Sequence, residues 1–312
     1  MSRPGSTATT RVRKVRPGRV FDEDDVLTSE EPMEIRLMIP SAAGVRPMSL
    51  SVTMRTPGND FELAAGFLLT EGIIQGREDI EQIAYCVDPD VEQEYNIVSV
   101  SLRPGTAFDP ALVERHFYTT SSCGVCGKST IEAVRVRHTS KIPADGPRVS
   151  HRVIGTLGSQ LRASQRIFSR TGSLHAAGLF DAEGTLLSLR EDVGRHNAVD
   201  KVIGQQLLAN RLPLSDTVLM VSGRASFEIL QKAAVAGIPF VVAVGAPSNL
   251  AVDVAKEFGM TLVGFAHGDS FNIYAGGHRL IDIPEREEDG EAAKRRPTTM
   301  TVGTLGGGLD AS

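Results

Sequence analysis

The sequence predicts an α/β protein, a three-layer α/β/α sandwich in its C-terminal half, preceded by a smaller α+β domain. Three observations carry this. Residues 150–283 alternate helical and strand patterns in the order α-β-β-α-β-α-β-α-β, which implies a mostly parallel sheet. Within them, Val218-Leu219-Met220-Val221 and Phe240-Val241-Val242-Ala243-Val244 are continuous apolar runs, as strands covered on both faces should be. Residues 33–39 and 48–54 instead alternate apolar and polar, the mark of half-buried strands.

In chain order, residues 1–20 carry six basic residues from Arg3 to Arg19 and no acid, among Pro, Gly, Ser and Thr, and read as a disordered basic arm. The α+β domain spans 21–138. Met33, Ile35, Leu37 and Ile39 line one strand; Met48, Leu50, Val52 and Met54 line the next, joined through Ala42-Ala43-Gly44. Asn59 or Asp60 caps a helix with Phe61, Leu63, Ala64, Phe67 and Leu68 on its apolar face, closed at Gly72. Strands at 83–87 and 95–102 follow, with Cys86 as a small core residue, and Asp109-Pro110 opens a short helix. Residues 139–150, with Pro143, Gly146 and Pro147, form a turn-rich connection between domains.

The second domain, 150–283, opens with a helix showing Ile154, Leu157, Leu161 and Ile167. Strands at 174–180 and 185–190, a helix at 195–209, strand 217–221, helix 224–236, strand 239–244, helix 249–258 and strand 261–266 complete it. Gly237 closes one helix and Pro239 opens the next strand. Residues 271–275 can add an edge strand, and 284–312 form a charged, then Gly- and Thr-rich, disordered tail.

Composition narrows the function classes. A net charge of −5 argues against a nucleic-acid-binding body. No apolar run reaches the length of a membrane span, and the basic N-terminus lacks the apolar core of a signal peptide. Three cysteines do not make a disulfide framework; a free dithiol suits a reducing cytoplasm.

Two of those cysteines, Cys123 and Cys126, stand in TTSSCGVCGKST at 119–130. Small neighbours let the segment expose and swing both sulfurs, and Lys128 favours thiolate over thiol. The spacing fits half a zinc site, but Cys86 is unpaired and His116 and His138 do not complete a ligand set. It fits a thioredoxin-like redox pair, but no convincing buried strand precedes it. It also fits a sulfur carrier, in which one thiolate holds a persulfide and the second helps release it.

Ligands of open α/β sheets bind beyond the C-terminal strand ends, near helix N-termini. Three polar, glycine-rich junctions fall there: Glu191-Asp192-Val193-Gly194-Arg195-His196-Asn197, Ser222-Gly223-Arg224, and Phe265-Ala266-His267-Gly268-Asp269-Ser270. A helix N-terminus beside an Arg suits a phosphate, and Asp192 or Asp269 could accept from a guanine or pterin amino group. Each junction alone could be plain capping; three at one sheet edge favour a ligand site. His175, at a strand start, is a further candidate against the plainer reading of a buried imidazole.

From about residue 20 to 283 the chain resembles the formate dehydrogenase accessory sulfurtransferases, the FdhD family. The matching stretches are residues 56–60, 66–74, 121–127, 171–177, 191–202, 222–228 and 265–274, and together they are specific where the C-x-x-C alone is not. The resemblance implies a sulfur relay in the cytoplasm: a cysteine desulfurase hands a persulfide sulfur to the loop. The protein passes it to the molybdenum (or tungsten) bis-guanine-dinucleotide cofactor, bound as substrate, which then enters formate dehydrogenase. Cys123 would be the persulfide intermediate and Cys126 its helper. Phe265, Ala266, His267, Gly268, Asp269 and Ser270 would contact the cofactor, with Gly223 and Arg224 at the same pocket; the junction reading adds Asp192, Arg195, His196 and His175 as cofactor-binding candidates. A homodimer, no structural metal, no nucleic acid and no membrane complete the expectation. His267 stands where many members carry Arg. Element order also resembles the cytidine deaminase fold, but the zinc cysteines of that fold have no counterpart at Ser222–Ser226. The alternatives are a cofactor-binding chaperone and a zinc or dithiol redox module.

Overall fold

The computed structural model describes residues 4–41, 44–87, 93–106 and 142–284. The C-x-x-C loop, the helix opening at Asp109-Pro110, residues 131–137 and the tail beyond 284 lie outside the described residues.

The chain is a mixed α/β protein with several sheets and six α-helices among the described residues. A hairpin of β1 (Thr7–Arg16) and β2 (Arg19–Thr28) comes first. A four-stranded sheet follows, built from β3 (Glu31–Ser41), β4 (Gly44–Arg55), β5 (Ile80–Tyr85) and β6 (Ile97–Leu102) in the order β4-β3-β6-β5. Helix α1 (Asp60–Thr70) lies between β4 and β5 in the chain. After β7 (Val149–Ser150) come α2 (His151–Ser164) and α3 (Arg166–Thr171). Then β8 (His175–Phe180), β9 (Leu186–Asp192), α4 (Arg195–Leu208), β10 (Val218–Val221), α5 (Phe227–Val235), β11 (Phe240–Ala243), α6 (Asn249–Glu257), β12 (Thr261–His267) and β13 (Ser270–Ala275) build a six-stranded sheet. Its order is β13-β12-β11-β10-β8-β9, and β14 (Leu280–Ile281) pairs separately with β7.

The continuous apolar runs are buried on both sides, as expected. Val218, Met220, Phe240 and Val242 meet Ile154, Leu157 and Leu161 of α2 on one face. Leu219, Val221, Val241 and Ala243 meet α4, α5 and α6 on the other. That second core continues through α1 to Met33, Ile35, Leu37, Val98 and Val100 of the four-stranded sheet. The described part of the expected connection, 142–150, therefore marks a change of sheet rather than a break in the core.

Four expectations are corrected. The arm at 1–20 is not disordered over its described part: Thr7–Arg16 is a strand whose basic residues face the acidic ones of β2. Arg13 donates to Asp22 at 2.8 Å, Arg11 lies 3.6 Å from Asp24, and Lys14 pairs with Glu23. Reading the basic run without its acidic complement at 22–25 hides the hairpin. The six-stranded sheet is mixed: only β10–β11 and β11–β12 are parallel. The short turns joining β8 to β9 and β12 to β13 force antiparallel pairing, because a parallel crossover needs a dozen or more residues.

The helix expected to run to Ile167 breaks at Gln165, giving α2 and α3. Finally, β4 does not bury one alternating face throughout. Ile35 pairs with Ser51 and Arg36 with Ser49, so Leu50 is an extra residue, a β-bulge. Beyond it the facing inverts. Val52 and Met54 point outward, and Arg55 turns inward to Asp60 at 3.1 Å.

Candidate functional site

The parallel strands β10, β11 and β12 end at one edge of the six-stranded sheet, and the extended segments after them run on side by side. Gly245 N donates to Gly223 O at 3.0 Å and Phe265 N donates to Gly245 O at 3.2 Å. Because β8 runs antiparallel to β10, its first residue, His175, lies at this same edge. A Cβ on Gly223 would lie 3.3 Å from His175 Nδ1, so glycine is what lets the 222–224 turn pass the imidazole.

A cavity of about 460 Å³ opens here between the strand ends and the α2–α3 segment. His175, Ser222, Ala266, His267 and Gly268 line one wall; Ser159, Arg162, Gln165 and Phe168 line the other. The two walls approach closely at Gly155 of α2, where a Cβ would lie 2.9 Å from Gly268 O. Leu174 and Phe265 hold positive φ, 143° and 54°, conformations that cost non-glycine residues of order 1–3 kcal/mol and gather at ligand sites.

Cations stand near His175. Arg195 and His196 begin α4 and Arg224 precedes α5. Two nearby carboxylates are already engaged. Asp192 is fully buried, 2.6 Å from Lys201 Nζ, and accepts from Gly194 N at 2.8 Å and Asn197 Nδ2 at 3.0 Å. Glu228 pairs with His196 Nε2 at 2.8 Å, which holds its carboxyl below the usual range despite partial burial. What remains at the edge suits an anion.

His175 is pushed below its ordinary value of 6.5, first by burial and then by the positive charges of Arg195 and His196, with Asp192 opposing. At neutral pH the ring is therefore uncharged and able to donate from one nitrogen and accept at the other. Proton NMR is expected to show His175 titrating below an exposed imidazole, and Arg195→Gln should raise its midpoint. Protonation is disfavoured in the folded state, so this group removes stability as pH falls through the unfolded value of 6.5. A midpoint at or above 6.5 would contradict this.

The model of the FdhD/NarQ family matches residues 33–281. The chain belongs to the FdhD/NarQ family. Curated relatives named "Sulfur carrier protein FdhD" share 51% identity over 279 residues in Streptomyces coelicolor (88% of this chain, 95% of that one) and 50% over 277 residues in Streptomyces avermitilis (88% and 95%). A crystal structure from Desulfotalea psychrophila, described as a formate dehydrogenase accessory protein, superposes with a TM-score of 0.65 at 25% identity, covering 88% of this chain and 99% of that one.

In this FdhD/NarQ chain, five residues singled out from sequence line the cavity: His175, Ser222, Ala266, His267 and Gly268. Gly223 and Arg195 stand beside His175, and Arg224 packs against Gly245. Phe265, Asp269 and Ser270 are exposed on the bend joining β12 and β13. Asp192 departs from expectation: its carboxylate faces the interior and braces the 191–197 turn instead of the cavity. Cys123 and Cys126 lie outside the described residues. Sequence reasoning missed the α2–α3 wall. The usable signal was Gly155, inside a helix, where glycine costs roughly 0.5–1 kcal/mol relative to alanine and so marks a close approach.

Proposed function

We propose that this chain is a sulfur carrier for formate dehydrogenase maturation, a sulfurtransferase working through a cysteine persulfide. What carries the reading is one sheet edge that gathers three glycine-rich junctions, the cations Arg195 and Arg224 and a cavity, in a chain half identical to proteins named sulfur carriers. The second half, read as a cytidine-deaminase-like shell without the zinc cysteines, serves as a nucleotide pocket.

The Cys123 thiolate attacks the terminal sulfur of a cysteine desulfurase persulfide. A new S–S bond forms on Cys123, and the desulfurase cysteine leaves as a thiolate. Attack of the Cys126 thiolate on Cys123 then expels sulfide toward the substrate, the molybdenum or tungsten bis-guanine-dinucleotide cofactor. The dithiol supplies two electrons and becomes a Cys123–Cys126 disulfide, which a cellular thiol must reduce. The cavity is within the size range of small-molecule sites, about 300–1,000 Å³, so it fits one nucleotide end of this substrate. Arg195, His196 and Arg224 attract its phosphates, and His267 grips them less firmly than Arg would. Formate dehydrogenase receives the product, and the carrier acts as a cytoplasmic homodimer.

Intact-protein mass after incubation with a cysteine desulfurase and cysteine tests this. One added sulfur is expected, lost in Cys123→Ala. No addition, or addition unchanged in Cys123→Ala, defeats the reading. Formate dehydrogenase that stays active in cells carrying only Cys123→Ala points instead to a cofactor-binding chaperone.

A further inference from the structure

Residues 146–172 carry Arg148, Arg152, Arg162, Arg166 and Arg170 and no Asp or Glu, in a chain whose net charge is −5. The local charge is therefore opposite in sign to the whole. Helices α2 and α3 turn it into a ridge. Arg152, Thr156, Ser159, Arg162 and Ala163 are the exposed positions of α2, and Arg166, Ser169 and Arg170 those of α3. Arg13 and Arg190 pair with Asp22 and Glu62, but Arg152, Arg162, Arg166 and Arg170 have no carboxylate partner among the described residues. Arg162 is nevertheless held in place. Its guanidinium lies over the Phe168 ring, with Cζ 3.3 Å from the centroid, and its N–H fork has no acceptor among the described residues. The hydroxyls of Thr156, Ser159 and Ser169 donate to Val153 O, Thr156 O and Arg166 O, so the free donors of the ridge belong to the arginines.

We propose that this ridge docks an acidic, extended segment of a partner protein along the outer face of α2 and α3. The side chains between the arginines are small, so an extended backbone can lie close, and guanidinium forks match carboxylates. The 14 residues of α2 run about 21 Å, a length that an extended chain covers in about six to seven residues. Nucleic acid fits the ridge less well, because the body that carries it is acidic overall. A membrane surface fits less well, because Thr156, Ser159, Ala163 and Ser169 offer no large apolar side chain for insertion. Docking there needs neither a bound nucleotide nor a persulfide, so its failure leaves the function proposed above untouched. Ser159 and Arg162 also line the cavity, so the docked segment lies beside it.

Fluorescence anisotropy of labelled octaglutamate titrated with the full chain tests this, with a labelled Gly-Ser octapeptide and a labelled oligothymidylate of equal length as comparisons. At low salt the wild type is expected to bind octaglutamate at least about tenfold tighter than the Gly-Ser peptide, and tighter than the oligothymidylate. Raising the salt to about 0.5 M should weaken that binding, since exposed charges are screened. Arg166→Gln/Arg170→Gln should lose about fivefold in affinity and adding Arg152→Gln about a further twofold, the size expected of exposed charge pairs. Arg166→Lys/Arg170→Lys keeps the charge and should recover most of the loss. Arg211→Gln, at an exposed arginine beyond α4, should bind as the wild type does. All these side chains are exposed, so melting temperatures should match that of the wild type. Absence of octaglutamate binding, full affinity in the triple glutamine variant, an equal loss in Arg211→Gln, or tighter binding of the oligothymidylate each overturns the proposal.

Discussion

Gly204→Ala is expected to destabilise the protein by at least about 3 kcal/mol, in the upper range for overpacking a core. Helices α1 and α4 cross with their backbones in contact. A Cβ on Gly204 would lie 1.8 Å from Glu62 O and 2.8 Å from Gly66 N. Gly66 is the reciprocal position, where a Cβ would lie 1.9 Å from Asp200 O. Both obstacles are main chain, so no rotamer change relieves them. Alanine favours a helix over glycine by about 1 kcal/mol, which does not offset forcing two helices apart. Separation would also open the core shared by the two large sheets, because α1 and α4 contribute Leu63, Leu68, Val199, Val202 and Ile203 to it. Urea unfolding measures the effect. Gly158→Ala, where the nearest atom would be at an ordinary 3.5 Å, is the control and should be as stable as wild type or up to about 1 kcal/mol more stable. Equal midpoints for Gly204→Ala and wild type would disprove the crossing.

Lys232→Met is expected to cost about 3–5 kcal/mol, the range for removing one partner of a buried ion pair. Lys232 of α5 reaches Asp200 of α4 at 2.9 Å and Thr70 of α1 at 2.9 Å, with Glu71 at 3.5 Å, where the three helices meet. Asp200 and Lys232 are both nearly inaccessible. Burial pushes the Asp200 carboxyl up, against the pull of Lys232, and the attraction of Asp200 and Glu71 holds the Lys232 ammonium up despite its own burial. Without the lysine, Asp200 keeps the burial penalty and loses its partner. A carboxyl whose folded value is raised loses stability as pH rises above the unfolded value, so the deficit of the variant should shrink between pH 8 and pH 5. Adding Asp200→Asn removes the stranded charge and should recover at least half of the loss. A deficit independent of pH, with no recovery in the double variant, would show that packing and not charge sets the cost.

Much of this protein could be read locally. Continuous apolar runs identified β10 and β11 as fully covered strands because both faces of each meet helices. Alternation identified β3, whose Met33, Ile35 and Leu37 are buried. The glycine-rich junctions after β10 and β12 were visible because turns at strand ends need small residues and helix starts need caps. These are properties of a few consecutive residues.

Other features depend on partners distant in the chain. Basic 7–16 becomes a strand only because acidic 22–25 lies across from it. Leu50 is a bulge only against Ile35 and Arg36, and that single extra residue sends Val52 and Met54 outward. Asp192 reads as a ligand group until Lys201 is seen to occupy it. By itself the sequence determined the family, most elements beyond the first hairpin, and the polar strand ends. Tertiary structure alone decided strand direction, facing, helix crossing and the second wall of the cavity, because these depend on which surfaces meet, and periodicity along one segment carries no information about the segment opposite.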